Sequence, residues 1–298
     1  MDQNFLDLLS KNGIAFRVHA PMAEYTTFRT GGPADLIVFP SDENQLAFCL
    51  GLFSGEFLLL GNCSNILVSD RGIADAVILL GKNFSRITIE GRCITAQAGA
   101  KLSALCGTAL EAGLTGLEFA SGIPGTVGGG IYMNAGAYGG ELSQFVQSVR
   151  AMDAQGNILQ FSSSELAMGY RHSIFMEREF AILSASFLLE YGDVDAAKQR
   201  VRELNAARRC KQPLEYPSAG STFKRPEGYY AGALIEQCGL KGFSIGGAQV
   251  SEKHAGFIIN TGNATTDDIR ALIAHIQNCV LHNFGVLLEP EVQLIGRT

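Results

Sequence analysis

Eight of the nineteen residues from 122 to 140 are glycine (Gly122, Gly125, Gly128, Gly129, Gly130, Gly136, Gly139 and Gly140), where average usage gives one or two. The stretch reads GIPGTVGGGIYMNAGAYGG. Its glycines are interleaved with Ile, Val, Tyr, Met and Asn, which a flexible spacer lacks. Glycine permits positive φ and removes the Cβ that blocks close approach, so this segment points to main chain wrapped closely around an anionic ligand. The competing reading is a run of tight turns packed under a buried helix.

The rest of the chain narrows the field by exclusion. With 298 residues, 47 % apolar and 17 % charged, it has the composition of a globular protein of two or three subdomains. No secretory signal pattern opens it, and no segment is long and apolar enough to span a bilayer, so a cytoplasmic protein is expected. The seven cysteines are scattered without a Cys-x-x-Cys pair, which argues against a disulfide framework and a zinc site. His172, His254, His275 and His282 do not cluster, so no metal is expected. A net charge of −6 argues against a nucleic-acid surface. The basic run Lys198, Arg200, Arg202, Arg208, Arg209, Lys211 lies on a predicted helix at 194–210. Its first three cations read as a solvated face, and its end as either that or an anion contact.

Short β-branched runs predict strands at 34–39, 57–60, 76–80, 86–89, 93–97, 145–152, 157–161 and 180–191. Helices are predicted at 42–53, capped by Ser41 or Asp42, and at 101–112, closed by Gly113. A third has Thr265 or Thr266 as cap, Asp267 and Asp268 in its first turn, and Ile269, Leu272, Ile273, Ile276 and Val280 at helical spacing before Gly285. A last strand is expected at 291–295. The whole is an α+β chain.

Two further glycine turns accompany the first. Gly61-Asn62-Cys63-Ser64-Asn65 follows the apolar run FLLL, and Thr26–Ala34 reads TTFRTGGPA. Three such loops favour a large dinucleotide over a mononucleotide. Together with SGIPGTVGGGIYMNAGAYGGE (121–141), GYRHSIF (169–175), KQP (211–213), SAGSTFKRP (218–226) and LEPEVQLIG (288–296), they occur in the order found in a known family. The chain resembles the UDP-N-acetylenolpyruvoylglucosamine reductases, also called UDP-N-acetylmuramate dehydrogenases, over essentially its whole length.

The resemblance implies a two-subdomain FAD-binding fold of the vanillyl-alcohol oxidase (PCMH) type plus a C-terminal α+β substrate lobe. The expected boundaries are 1–75 and 76–192 for the two FAD subdomains and 193–298 for the substrate lobe. It implies non-covalent FAD, with NADPH as co-substrate and a UDP-sugar enolpyruvate as substrate. Cofactor contacts are expected from Gly61, Asn62, Cys63, Ser64, Asn65, Gly122, Ile123, Pro124, Thr126, Gly128, Gly129 and Asn134. Substrate contacts are expected from Tyr170, Lys211, Arg225 and His254. Catalysis falls on Arg171, Ser221 and Glu291. In this chemistry a hydride from flavin N5 reaches the terminal vinyl carbon, a cation such as Arg171 meets the charge pushed onto the carboxylate, and Ser221 protonates the neighbouring carbon. Glu291 would orient Arg171 or act as an acid. A monomer is expected.

Two departures stand out. The family's loop reads Gly-x-Gly-Ser-Asn, and Cys63 replaces its second glycine; Gly130 stands where Ala is common. The chain also lacks an inserted tyrosine-bearing loop, which marks the shorter of the family's two types. The alternatives are another flavin-dependent sugar oxidoreductase of the same fold and a non-catalytic sugar-nucleotide binder.

Overall fold

The computed structural model describes residues 3–297. The chain forms two compact units, each discontinuous in sequence. The first comprises the chain up to Val18, Leu36–Asn62 and Asp75–Ala207, and the second His19–Asp35, Cys63–Ala74 and the chain from Arg208 on.

A four-stranded sheet runs in the order Ala15–Pro21, Pro33–Phe39, Ile73–Leu79, Phe57–Leu60. Its last pair is parallel, Phe57 opposite Ala76. Such a pair needs a covered crossover. Helix α1 (Gln3–Lys11) was missed in the sequence, although Phe5, Leu6, Leu8 and Leu9 fall at helical spacing. Helix α2 (Glu43–Phe53) starts at Asp42, whose carboxylate accepts from Gln45 N at 2.9 Å, and it buries Leu46, Cys49 and Leu50.

A five-stranded antiparallel sheet is ordered Ile158–Ser162, Val146–Met152, Ala181–Leu188, Cys93–Gln97, Ile87–Glu90. Its central strand Ala181–Leu188 is nearly all buried, which explains the unbroken apolar run there. Helix α3 (Leu102–Glu111) ends before Gly113, whose φ is +81°.

Helix α4 (Val127–Tyr132) lies inside the glycine segment. Three consecutive glycines disfavour a helix by about 1 kcal/mol each, so propensity does not account for it; packing does. A Cβ on Gly128 would sit 3.0 Å from Ala98 Cβ, and one on Gly130 2.9 Å from Leu142. At Gly128 and Gly130 any side chain would crowd these neighbours, which supports the packing reading of this segment.

Helix α5 (Val194–Lys211) places Arg208, Arg209 and Lys211 in its last turn, where cations complement the carbonyl end. In the second unit, a small antiparallel sheet of Ser244–Ile245, Ala248–Val250 and Ile258–Asn260 shares a core with α6 (Ala231–Gln237) and α7 (Thr266–Phe284). Thr265 accepts from Asp268 N at 3.0 Å, and Asp268 accepts from Thr265 N at 3.0 Å. This reciprocal cap fixes the start of α7, and Gly285 at φ +69° ends it. The strand Ile66–Val68 runs parallel to Gln293–Ile295, which ties the chain's end to its first quarter. Among the described residues no helix is long and apolar enough to cross a membrane.

Candidate active site

The strand Phe57–Leu60 delivers Gly61 and Asn62 against the glycine segment. Asn62 Nδ2 donates to Pro124 O at 2.8 Å, which joins two of the three glycine loops. A Cβ on Gly61 would lie 2.4 Å from Thr126 Oγ1, so Thr126 holds its hydroxyl at the bare face of that glycine. Thr126 precedes α4, yet caps nothing. The first two helical amides point elsewhere: Val127 N donates to Ala100 O and Gly128 N to Ala98 O, each at 2.8 Å. The Thr126 hydroxyl is therefore buried and left over.

It is one of four. Among the described residues, the buried hydroxyls of Ser121 and Thr126 in the first unit, and of Thr27 and Thr30 in the second, make no hydrogen bond within the protein. Each such group costs about 1–3 kcal/mol unless something satisfies it. All four sit in the glycine turns singled out by sequence, and within the first unit the donors of Ser121 and Thr126 suit a diphosphate such as that of FAD. Gly129 adds an open face, its nearest neighbour being Thr126 Oγ1 at 3.8 Å. Gly61→Ala is expected to push Thr126 aside at about 1–3 kcal/mol, which is roughly tenfold to a hundredfold weaker FAD retention. Flavin absorbance after gel filtration, with circular dichroism as the check on folding, measures it.

Not every expected cofactor residue faces outward. Asn134 is completely buried. Its Nδ2 donates to Gly169 O at 2.9 Å and its Oδ1 accepts from Ser143 N at 3.0 Å. Its amide is spent inside the protein, where it pins the turn that carries Arg171. Asn65 likewise donates to Glu291 O at 3.1 Å, and its own carbonyl accepts from Gln293 N. Ile123 N is spent on Ala120 O. Cys63 is buried with φ +49°, a left-handed conformation that costs a non-glycine residue roughly 1–2 kcal/mol. The position asks for the glycine that it lacks. Burial pushes the Cys63 thiol up to about 12, so it is inert near neutrality. Cys63 O accepts from Thr27 N at 3.3 Å, which sets the third glycine turn beside this loop.

Arg171 occupies the tip of a tight turn. Gly169 N donates to His172 O at 3.1 Å and His172 N to Gly169 O at 3.2 Å. Arg171 has φ +53°, where glycine or asparagine is the usual occupant. Its guanidinium lies 5.1 Å from the centroid of the Tyr170 ring, a cation–π distance, with Nη2 3.5 Å from Gly136 O. Ser173 Oγ donates to Tyr132 O at 2.7 Å from below.

The second unit brings Ser221 and Glu291 onto neighbouring extended segments. Phe223 pairs with Pro290, Glu291 N donates to Thr222 O at 2.8 Å, and Thr222 N donates to Gly256 O at 2.9 Å. Ser221 is exposed at the start of this pairing and Glu291 is half-buried. Arg225 lies 3.9 Å over the Tyr230 ring, an aromatic partner that the sequence did not single out. Lys211 is exposed at the end of α5, and Ser64 is half-buried.

His254 accepts from Gly256 N through Nδ1 at 3.1 Å, which puts the proton on Nε2. The Phe257 ring stands edge-on at 5.0 Å. Burial, the largest influence, holds His254 below its ordinary value of 6.5, and Lys241 adds to the lowering. The folded state thus disfavours the protonated ring, while the unfolded chain takes up a proton near 6.5. The stability from this group is present above that pH and is lost as pH falls through the folded value. Thermal unfolding between about pH 7 and pH 5 is expected to show a decline that His254→Gln reduces.

Comparison with known proteins identifies the family. Residues 34–162 match the FAD binding domain family, and residues 212–295 match the UDP-N-acetylenolpyruvoylglucosamine reductase C-terminal domain. A UDP-N-acetylenolpyruvoylglucosamine reductase of Clostridium perfringens (strain SM101) is 51 % identical over 283 residues, 94 % of this chain and 93 % of its own. That of Clostridioides difficile (strain 630) is 49 % identical over 296 residues, 98 % and 97 % of the two chains. The crystal structure of the enzyme from Thermus caldophilus superposes with a TM-score of 0.81 at 32 % identity, covering 94 % of this chain and 98 % of that one. The α+β architecture is thus an FAD-binding fold followed by the reductase's C-terminal lobe. By identity, coverage and fold, the chain belongs to the UDP-N-acetylenolpyruvoylglucosamine reductase family.

Proposed function

We propose that this chain reduces UDP-N-acetylglucosamine enolpyruvate to UDP-N-acetylmuramate, with FAD bound non-covalently and NADPH as reductant, in the synthesis of peptidoglycan precursors. The observation that carries this is an FAD-binding match over 34–162 joined on one chain to the reductase C-terminal match over 212–295. The orphaned hydroxyls of Ser121 and Thr126 in the glycine segment support the dinucleotide.

FAD, when bound, supplies the hydride for the terminal vinyl carbon. Everything else falls to side chains. The glycine segment of the first unit holds the cofactor through Thr126 and Ser121. Arg171 presents a fixed fork of donors to the substrate's carboxylate, which gains charge as the double bond is reduced. Ser221 gives a proton to the carbon bearing the ether oxygen, and the saturated product results. Glu291, on the segment paired with that of Ser221, is the anionic member of the set. Lys211, Arg225, Tyr170 and His254 bind the UDP-sugar, with cations meeting its diphosphate. In this reading residues 1–75 and 76–192 serve the cofactor and 193–298 the substrate. The protein works as a cytoplasmic monomer on small molecules, without a nucleic-acid or membrane partner.

Steady-state assay tests the reading. NADPH oxidation should require the enolpyruvate, proceed with equal stoichiometry, and yield a product heavier by two hydrogen atoms. NADPH consumption driven by oxygen, with the enolpyruvate recovered unchanged, would instead favour another flavin-dependent oxidoreductase.

A further inference from the structure

We infer that His172, together with Glu177, is a positioning pair for Arg171; the inference rests on the proposed role of Arg171 toward the enolpyruvate. Arg171 sits in a left-handed conformation that persists only when its surroundings over-determine it. The bonds between Gly169 and His172 close the turn but do not fix its base. The His172 ring does. Its Nδ1 meets Ala167 O at 3.0 Å and its Nε2 meets Glu177 Oε1 at 2.9 Å.

The chemistry of this contact is restrictive. A carbonyl and a carboxylate only accept hydrogen bonds, so both bonds form together when both ring nitrogens carry hydrogen. With both bonds made, the ring spans the turn between Ala167 O and Glu177 Oε1, and clamps residues 167 and 177 on either side of the Arg171 tip. Ala167 is itself left-handed, with φ +46°, so the clamp holds two strained residues at once. The ring is half-exposed and contributes little to the core, which separates a positioning role from a packing one. Asn134 and Ser173 grip the same turn from the buried side. His172 is the part of the grip that can be removed without emptying the interior.

The test is a double-mutant cycle on the FAD-loaded enzyme, with the two half-reactions timed separately. His172→Ala should slow oxidation of the reduced enzyme by UDP-N-acetylglucosamine enolpyruvate roughly tenfold to a hundredfold. Reduction by NADPH should change far less. Glu177→Gln should slow the same step, and combining it with His172→Ala should add little. In an Arg171→Ala background, His172→Ala should be silent, because a residue acting through another has no effect once that other is gone. Equal slowing by His172→Ala in both backgrounds, or equal loss in both half-reactions, would overturn the inference. If Arg171→Ala itself leaves the enolpyruvate step intact, the underlying reading of Arg171 fails. If Arg171→Ala slows the step and His172→Ala does not, only the positioning role fails.

Discussion

Replacing Arg171 by alanine is expected to slow the enolpyruvate half-reaction by about a hundredfold to a thousandfold, with NADPH reduction of the enzyme little changed. The size follows from what the side chain does at its turn. It is held half-buried beside Tyr170, so its charge is in place before the substrate's carboxylate begins to gain electron density. Donors already oriented require no reorganisation when the charge develops. Lysine should not rescue the loss, because an ammonium cannot reproduce a planar two-point fork. Arg171→Gly makes a second comparison. Glycine relieves the left-handed strain at φ +53° by about 1 kcal/mol, and gives back about as much through a freer unfolded chain. Its melting temperature should stay within a few degrees while its activity falls with that of the alanine variant. An Arg171→Gly enzyme that unfolds much earlier would mean that the side chain serves the fold.

Ser221→Ala is expected to have a comparable effect on the same step, about a hundredfold to ten-thousandfold, the range for loss of a placed proton donor. The fold should not suffer. Ser221 is exposed, and the backbone bonds around it are made by Thr222, to Gly256 O and from Glu291 N. A Ser221→Ala enzyme that NADPH bleaches at the normal rate, but that the enolpyruvate reoxidises slowly, is the expected phenotype. Single-turnover absorbance at the flavin band reads both rates from one preparation. Full-speed reoxidation would remove Ser221 from the reaction.

What the sequence made legible, and what it hid, follows physical lines. Helix α7 was readable because its cap, first-turn acids, apolar spacing and terminal glycine all agree, and the structure uses Thr265, Asp268, Ile269, Leu272, Ile276 and Gly285 in those roles. The buried strand Ala181–Leu188 was readable from its unbroken apolar run. Helix α4 was not, since its reason to exist is contact with Ala98, Leu102 and Leu142, which no local pattern records. Nor was the composition of the second unit. The pairing of Ile66–Val68 with Gln293–Ile295 joins segments more than two hundred residues apart, and it places Cys63–Asn65 and Glu291 in one unit.

The site shows the same division. Motif order made Arg171, Ser221 and Glu291 the candidates, but did not reveal what holds them. Asn134 was expected at the cofactor by resemblance, and the sequence did not show that its amide grips Gly169 and Ser143. His172 looked like a lone histidine, yet its two ring nitrogens bridge Ala167 and Glu177. The orphaned hydroxyls of Thr27, Thr30, Ser121 and Thr126 emerge only from a complete account of hydrogen bonds, because a threonine in a glycine turn is otherwise an ordinary N-cap.

Anaerobic stopped-flow absorbance on the purified protein tests the central claim most directly. The protein should be yellow, bleach with one equivalent of NADPH, stay bleached without oxygen, and recover its flavin band when UDP-N-acetylglucosamine enolpyruvate is added. Bleaching that the enolpyruvate does not reverse, or a protein that cannot be loaded with FAD at all, would contradict it.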